Sequence, residues 1–380
     1  MKVWVIFGSK NTEHDVSIAS AYWIMQWLIK NTEHEVYPIY ITKEWKWIYD
    51  KSFLQINNLK ELTEKNYDKY QFNIDFSRQW KFYARQKIKS FVSNVTDLEL
   101  DVMFLILHWK NWEDGTAQWL CQMLDVPYVS TSALGSAIWI NKSAMKDVLK
   151  SNNIPVVDYI SFLQWDEDIN QIEKLWYPIF VKPANLGSSI WISKVNNKDE
   201  LMQAIEVAYF YDNQIICEKW VKNLIELNCS ILVDKDQIIV SEIEKVSTKA
   251  DFLSFEEKYI NDGGTMQWVE AKVEIPAKIP SEIQNKIYEL SKKSAKALQI
   301  DWWAPRIDFL REDWSSNVYV NEINTIPWAM QLHLWLASWF TITSFLNKLI
   351  DTAIYRRDKM KSKSNNFNSS VIDITVNFKK

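Results

Sequence analysis

The sequence predicts an α/β fold, α+β in its later part, that opens on a parallel sheet. Three observations carry that expectation. Strand-length apolar segments alternate with helical segments from the N-terminus onward. A small-residue loop follows a strand ending at Lys182. Two short strands near residues 307–322 end in carboxylates and an amide.

The elements follow in chain order. Val3–Phe7 is apolar and β-branched, which predicts a first strand. A polar loop then runs to Thr12. Glu13 to Lys30 predicts a helix, with acids first and lysine last as the helix dipole favours. Glu35–Ile41 and Asp101–Leu107 predict two more strands, the latter followed by a tightly bent loop and a helix near Thr116–Leu124. This alternation argues for a parallel sheet. Ligands of such sheets bind beyond the carboxyl ends of the strands, where the loops after Phe7 and Leu107 lie. Residues 51–100 are polar and weakly patterned and read as an insertion. Further on, Asn141–Lys150 predicts a helix, Val156–Phe162 a strand and Asp166–Leu175 a helix. Two short strands flank a Gly-Ser loop within residues 177–195. Strands at Ile225–Val233 and Gln237–Val246, a polar loop over Ala250–Trp268, a helix over Ser281–Leu298 and strands at Ile307–Leu310 and Val318–Glu322 complete the reading. The tail "KSKSNNFNSS" is too polar to build a core and is expected to be disordered.

Composition narrows the class. The 380 residues suffice for two or three domains. The 44 basic and 48 acidic residues give a net charge of −4, which argues against a nucleic-acid partner. The run "VMFLIL" is far too short to span a bilayer, and "MKVWVIFGSK" reads as a strand, not a signal peptide. Cys121, Cys217 and Cys229 are odd in number and widely spaced, which suits reduced thiols in a cytoplasmic protein. His14, His34, His108 and His333 show no metal-ligand spacing.

One count is anomalous. The chain has 21 Trp and 6 Gly. At the usual roughly 7%, about 27 Gly are expected in a chain of this length. Glycine is the default residue wherever φ must be positive. Either the chain is a Trp-rich binding module, or most Trp letters mark UGA codons that the source reads as glycine. The stretch "LHWKNWEDGT" poses the choice, with two tryptophans inside a loop of turn residues.

Two segments carry chemistry. In "KPANLGSS", Lys182 precedes a loop of small residues whose backbone N–H groups can cradle phosphate oxygens. A bland turn would read the same way. In "RIDFL" and "VYVNEINTIP", Asp308, Glu322 and Asn324 present oxygens from two strand ends, and Glu322 and Asn324 share a face. Such hard oxygens suit Mg²⁺ bound with nucleotide phosphates, unless they form only a salt-bridge set with Arg306. Together the two segments imply phosphoryl transfer.

Across residues 1–350 the sequence resembles the D-alanine–D-alanine ligases of the ATP-grasp superfamily. The matching segments are "VIFGSKNTEHDVSIASA", "LHWKNWEDGTAQWL", "KPANLGSSIWISKV", "EEKYIN", "PRIDFL" and "VNEINTIPW". The resemblance implies a Rossmann-like parallel α/β domain (1–128), a central ATP-grasp subdomain (129–216), a catalytic ATP-grasp subdomain (217–355) and a polar flexible tail (356–380). It implies ligation of two D-alanines through an acyl phosphate, for peptidoglycan precursors. Joining D-alanine to D-serine or D-lactate is the same-fold alternative. The family's loop at the opening stretch reads H-G-x-x-G-E-D-G. Trp109 and Trp112 therefore fall on glycines, as do Trp4, Trp119, Trp139, Trp176, Trp191, Trp328 and Trp339. Trp45 and Trp314 stand at hairpin turns. Trp47 and Trp335 suit an aromatic, and Trp220 is ambiguous. Trp23, Trp27, Trp80, Trp165, Trp268 and Trp302 stay open.

By the same resemblance Glu13 holds the first substrate's ammonium, with Ser188 and Tyr259 completing a hydrogen-bonded triad. His108 neighbours its carboxylate. Arg306 and the backbone N–H of Trp328 stabilise the oxyanion. Lys142, Lys182 and Lys258 bind phosphates, while Glu218, Lys219 and Glu226 meet adenine and ribose. Asp308, Glu322 and Asn324 hold two Mg²⁺ ions, with Mn²⁺ as a substitute, and ATP is the co-substrate. A cytoplasmic homodimer without nucleic-acid or membrane partners is expected. The segment "WAMQLHLWLAS" lacks the Ser that many members place near Leu334 for the second substrate's carboxylate.

Overall fold

The computed structural model describes residues 1–11, 13–60, 70–75, 81–88, 92–108, 111–187, 191–235, 237–247, 272–300, 304–313 and 315–363. It opens with strand β1 (Lys2–Gly8), helix α1 (His14–Asn31) and strands β2 (Glu35–Ile41) and β3 (Trp47–Tyr49). Strands β7 (Val102–Ile106) and β8 (Tyr128–Val129) complete a sheet of order β3-β2-β1-β7-β8, parallel except where β3 turns back on β2. Alternation along β1 explains how this sheet is covered. Val3, Val5 and Phe7 face Ile24, Met25 and Leu28 of α1, while Trp4 and Ile6 face Ala117 and Cys121 of helix α3 (Thr116–Met123). The face under α1 is also sealed by Phe345, Leu349 and Ile350 of the last helix, α10 (Ile342–Lys361). Arg356 of α10 stacks on Tyr128 and donates to the carbonyls of Tyr128 and Ser130. The tail expected from residue 356 therefore starts inside a packed helix; residues 364–380 lie outside the described ones.

The expected insertion is a second departure. After helix α2 (Ile56–Lys60), strands β4 (Tyr70–Asp75), β5 (Lys81–Ile88) and β6 (Val92–Leu98) form an antiparallel meander.

The middle of the chain starts with helices α4 (Ala133–Ile140) and α5 (Lys142–Ser151). Strands β9 (Tyr159–Leu163), β10 (Ile179–Pro183), β11 (Ser193–Val195) and β12 (Gln214–Lys219) form a sheet of order β11-β10-β12-β9. Helix α6 (Ile169–Glu173) joins β9 to β10. Helix α7 (Lys198–Tyr211) covers the sheet with Leu201, Ala204, Ile205 and Ala208. The third sheet joins β13 (Leu224–Asp234), β14 (Gln237–Val240), β15 (Glu244–Ser247), β16 (Lys272–Glu274), β17 (Arg306–Glu312) and β18 (Val318–Asn324). The strand expected over Gln237–Val246 is broken at residues 241–243, where Ser241 Oγ accepts the N–H of Ser230. Helix α8 (Ser281–Ala297) packs on this sheet through Ile283, Ile287 and Leu290. The three cysteines are buried free thiols, each pushed up to about 12 by desolvation.

Among the described residues five tryptophans have left-handed backbone: Trp45 (φ 64°), Trp165 (78°), Trp176 (63°), Trp191 (68°) and Trp339 (69°). Trp165 sits in a turn closed by the Asp166 N–H on the Leu163 carbonyl. Trp339 ends helix α9 (Leu332–Ala337), where Phe340 N–H reaches back to the Trp335 carbonyl, a cap that glycine ordinarily supplies. Trp165, Trp176 and Trp339 are 84%, 77% and 92% exposed, so their rings gain little from packing. Trp4, Trp112, Trp139 and Trp335, by contrast, are buried.

Candidate active site

The carboxyl ends of β1 and β7 build the first part of the site. Gly8 (φ 97°) makes the turn out of β1, and a Cβ there would lie 2.3 Å from the Ile41 carbonyl. Ser17 Oγ accepts the Gly8 N–H and donates to the Ile106 carbonyl, binding the two strand ends together. Glu13, the N-cap of α1, is buried with Oε2 3.7 Å from His108 Nδ1. Behind it His14 donates to the Ser9 carbonyl and accepts from the Tyr40 hydroxyl; desolvation holds its pKa below the ordinary value. The loop after His108 is as bent as expected. Asp114 accepts the N–H groups of Asn111 and Thr116, and Gly115 (φ 94°) starts α3. Trp112 turns into the core, its Nε1 donating to Ser9 Oγ. Trp109 lies outside the described residues.

The second part is a buried charge cluster between α5 and the β10–β12 pair. Lys182 Nζ donates to Glu218 Oε2 at 2.8 Å, and Lys146 Nζ, fully buried, lies 3.2 Å from Glu218 Oε1. Burial pushes the Glu218 carboxyl up, but the ammonium groups of Lys146 and Lys182 outweigh it and hold the pKa at about 2. Desolvation in turn lowers the Lys146 ammonium. Lys142 donates to the Leu186 carbonyl at 2.6 Å and lies 3.7 Å from Glu322, linking the small-residue loop to β18. Lys219 points outward near Asp158, and Glu226 lies on β13, opposite Val246 and Leu310. Ser188, Lys258 and Tyr259 lie outside the described residues.

This cluster makes a pH prediction. Glu218 folds with a pKa below its unfolded value of about 4.3. Its stabilising contribution is therefore complete above that value and is lost as pH falls through about 2. Glu218→Gln should cost roughly 2–3 kcal/mol at neutral pH, read by urea denaturation, with the gap to the parent narrowing below about pH 4. A gap that stays constant down to pH 2.5 would contradict the assignment.

The third part lies on β17 and β18, where Arg306 pairs with Asn324 and Asp308 with Glu322 across the strands. Arg306 grips Asp308 through Nε (2.5 Å) and Nη2 (2.8 Å), and Asn324 Nδ2 donates to the same carboxylate at 2.8 Å. Among the described residues no group of three or more His, Cys, Asp or Glu could hold a metal. Asp308 thus stands in the salt-bridge set with Arg306 that the sequence left open; with Glu322 and Asn324 it still offers two carboxylates and an amide, donors of the kind Mg²⁺ takes when phosphates and waters complete its shell. Next to it, Glu244 accepts from Asn228 (3.1 Å) and pairs with His333 Nε2 at 2.8 Å. Burial raises the Glu244 carboxyl, but His333, Arg306 and Asn228 together outweigh it and leave it below the ordinary range.

Trp328 opens a strained turn. Ala329, Met330 and Gln331 follow it with φ of 44°, 57° and 50°. Each non-glycine residue in that region costs about 1–2 kcal/mol, so the surroundings must hold the turn. They do: Glu113 Oε1 accepts the Thr325 hydroxyl (2.7 Å) and the Ile326 N–H (3.1 Å), and Ser20 Oγ accepts the Ala329 N–H (2.9 Å). The sequence reading assigned no role to Glu113, Ser20, Lys146 or the His333–Glu244 pair. Glu113 and Ser20 had a signal, their places in the matching segments "LHWKNWEDGTAQWL" and "VIFGSKNTEHDVSIASA".

The D-ala D-ala ligase N-terminus and C-terminus family models match residues 2–131 and 148–355. The D-alanine–D-alanine ligase of Thermosipho africanus is 35% identical over 99% of each chain, and that of Caldicellulosiruptor bescii is 35% identical over 95% of this chain and 97% of its own. Among solved structures, the D-alanine–D-alanine ligase of Coxiella burnetii superposes with a TM-score of 0.79 at 24% identity, covering 95% of this chain and 96% of its own. The VanG D-Ala:D-Ser ligase of Enterococcus faecalis gives 0.75 at 27% identity, covering 93% and 99%. The fold is ATP-grasp, and the chain belongs to the D-alanine–D-alanine ligase family.

Proposed function

We propose that the chain joins two D-alanines to D-alanyl-D-alanine at the expense of ATP, through an acyl phosphate. The observation that carries this reading is the joining of two half-sites: the Glu13–His108 pair at the ends of the parallel sheet and the Arg306–Asp308–Asn324 set at the ends of β17 and β18. Glu113 bridges them. Glu13 holds the donor's ammonium and His108 lies beside its carboxylate. Ser188 and Tyr259 are assigned to the triad from the resemblance alone. Arg306 and the N–H at 328 face the oxyanion of the tetrahedral intermediate, a role of electrostatic preorganisation. Lys142, Lys182 and Lys258 receive the phosphates, and Glu218, Lys219 and Glu226 the adenosine. Asp308, Glu322 and Asn324 would hold two Mg²⁺ ions, whose chemistry is charge neutralisation on the phosphates. The domain division is placed at 128, 216 and 355; the family matches at 2–131 and 148–355 support its first and last bounds. A cytoplasmic homodimer is carried over from the family resemblance alone. Among the described residues no helix is long and apolar enough to cross a membrane.

The working chain carries glycine at its left-handed tryptophan positions and at the family's glycine positions, including 109, 112 and 328. The support is backbone geometry: Trp45, Trp176, Trp191 and Trp339, read as glycine-like from the sequence, are left-handed, as is Trp165, which the sequence left open.

Purified protein should release ADP only when D-alanine is present, and should yield the dipeptide. D-serine and D-lactate as competing acceptors test the second substrate. ADP release indifferent to D-alanine would overturn the ligase reading in favour of a binding module.

A further inference from the structure

The turn after Trp328 holds itself only in part, through Met330 N–H on the Pro327 carbonyl and Leu332 N–H on the Ala329 carbonyl. Three consecutive non-glycine residues, Ala329, Met330 and Gln331, are left-handed and buried, so neither intrinsic preference nor water stabilises their backbone. Every side-chain hydrogen bond described for the backbone of Ile326 and Ala329 comes from the other half of the molecule. Glu113 lies in the loop that also carries His108, and Ser20 lies on α1, about two turns beyond Glu13. Both anchors belong to the elements that form the donor pocket.

We propose that Glu113, with Ser20, is a positioning residue for the reaction: it holds the 325–331 segment so that the backbone N–H at 328 points at the reacting carbonyl. The donor loop and the oxyanion loop then move as one body, and the oxyanion donor is correctly placed only when the parallel-sheet half is docked. This rests on the ligase reading. One detail makes it testable. Thr325 and Ile326 both donate to the same Glu113 oxygen, Oε1, so the clamp needs an acceptor there, not a charge. An amide can replace the carboxylate; a methyl cannot.

The experiment compares Glu113→Ala, Glu113→Gln and Ser20→Ala with the parent, all bearing glycine at the five left-handed tryptophan positions and at the family's glycine positions, including 109, 112 and 328. Misplacing a reacting group by about 1 Å costs on the order of 100-fold. Glu113→Ala should therefore lower kcat about 10–100-fold while the KM for ATP changes less than about 3-fold. Ser20→Ala should lower kcat by a smaller factor, and Glu113→Gln should recover most of the loss. Amide hydrogen exchange supplies a readout that needs no turnover: in Glu113→Ala, protection over residues 325–331 should fall at least about 10-fold, while β17 and β18 keep theirs. Unchanged kcat in Glu113→Ala, or a loss in Glu113→Gln equal to that in Glu113→Ala, overturns the proposal. A parent without D-alanine-dependent ADP release instead refutes the ligase reading, and the exchange experiment then still decides the clamp.

Discussion

Glycine at positions 45, 165, 176, 191 and 339 together should raise stability by roughly 2–5 kcal/mol, whereas Trp335→Gly should lower it by at least about 3–5 kcal/mol. The same substitution has opposite signs because backbone and burial differ. At the five left-handed positions a side chain costs about 1–2 kcal/mol each in strain. Glycine relieves this but adds unfolded-chain entropy worth roughly 0.5–1 kcal/mol per site, leaving the net gain. Trp335 is fully buried and stacks on Phe345 at 5.5 Å, so its removal opens a large cavity. Over a chain of this size the gain is on the order of 3–6 °C in Tm, and less aggregation should follow from losing three indoles that are more than three-quarters exposed. Calorimetry of the two variants checks the energies. The coding DNA checks the cause, with UGA expected at 109, 112, 191 and 328. UGG at those four codons would end the glycine reading, as would destabilisation of the five-glycine variant.

Arg306→Lys should lower dipeptide synthesis by about 10²–10³-fold, close to the loss from Arg306→Ala. Removing a single oxyanion donor typically costs this much. Arg306 holds both oxygens of the Asp308 carboxylate from Nε and Nη2, which leaves the rest of its planar fork fixed in direction. A lysine keeps the charge but has no second donor at the required angle, so charge alone should not restore the rate. Asn324 continues to donate to Asp308 in either variant, so the buried carboxylate is not stripped and the fold should survive. Steady-state kinetics with both substrates varied reads the effect. A lysine variant within about 3-fold of the parent would remove Arg306 from the oxyanion role.

Much of the architecture was legible because its signals are local. β1, α1, β2 and β7 follow directly from apolar runs and a charge-ordered helix, and Gly8 and Gly115 mark the turns they make. Residues 70–98 went unread as strands because they sit in a polar stretch, although Tyr70, Phe72 and Ile74 alternate with Gln71, Asn73 and Asp75 as a half-buried strand does. The break at residues 241–243 escaped for a different reason: it depends on the Ser241–Ser230 contact across the sheet, not on any punctuating Gly or Pro. In the site, Arg306, Asp308, Glu322 and Asn324 stand close in sequence and were found together. Lys146 looked like one more helical lysine, although it is completely buried against Glu218. Glu113 reaches its partner 212 positions away, a separation at which pattern carries no information.

The closing of the first sheet by the last helix has a consequence for synthesis. Strand β8 obtains its Arg356 partner 226 residues after Ser130 has been made, and Phe345, Leu349 and Ile350 arrive as late. At about 5–20 residues per second the ribosome needs roughly 10–45 s to cover that distance. Through that interval the nascent N-terminal half carries an uncovered apolar face. Its exposure to chaperones, and its dependence on a helix made 226 residues later, are therefore built into the topology.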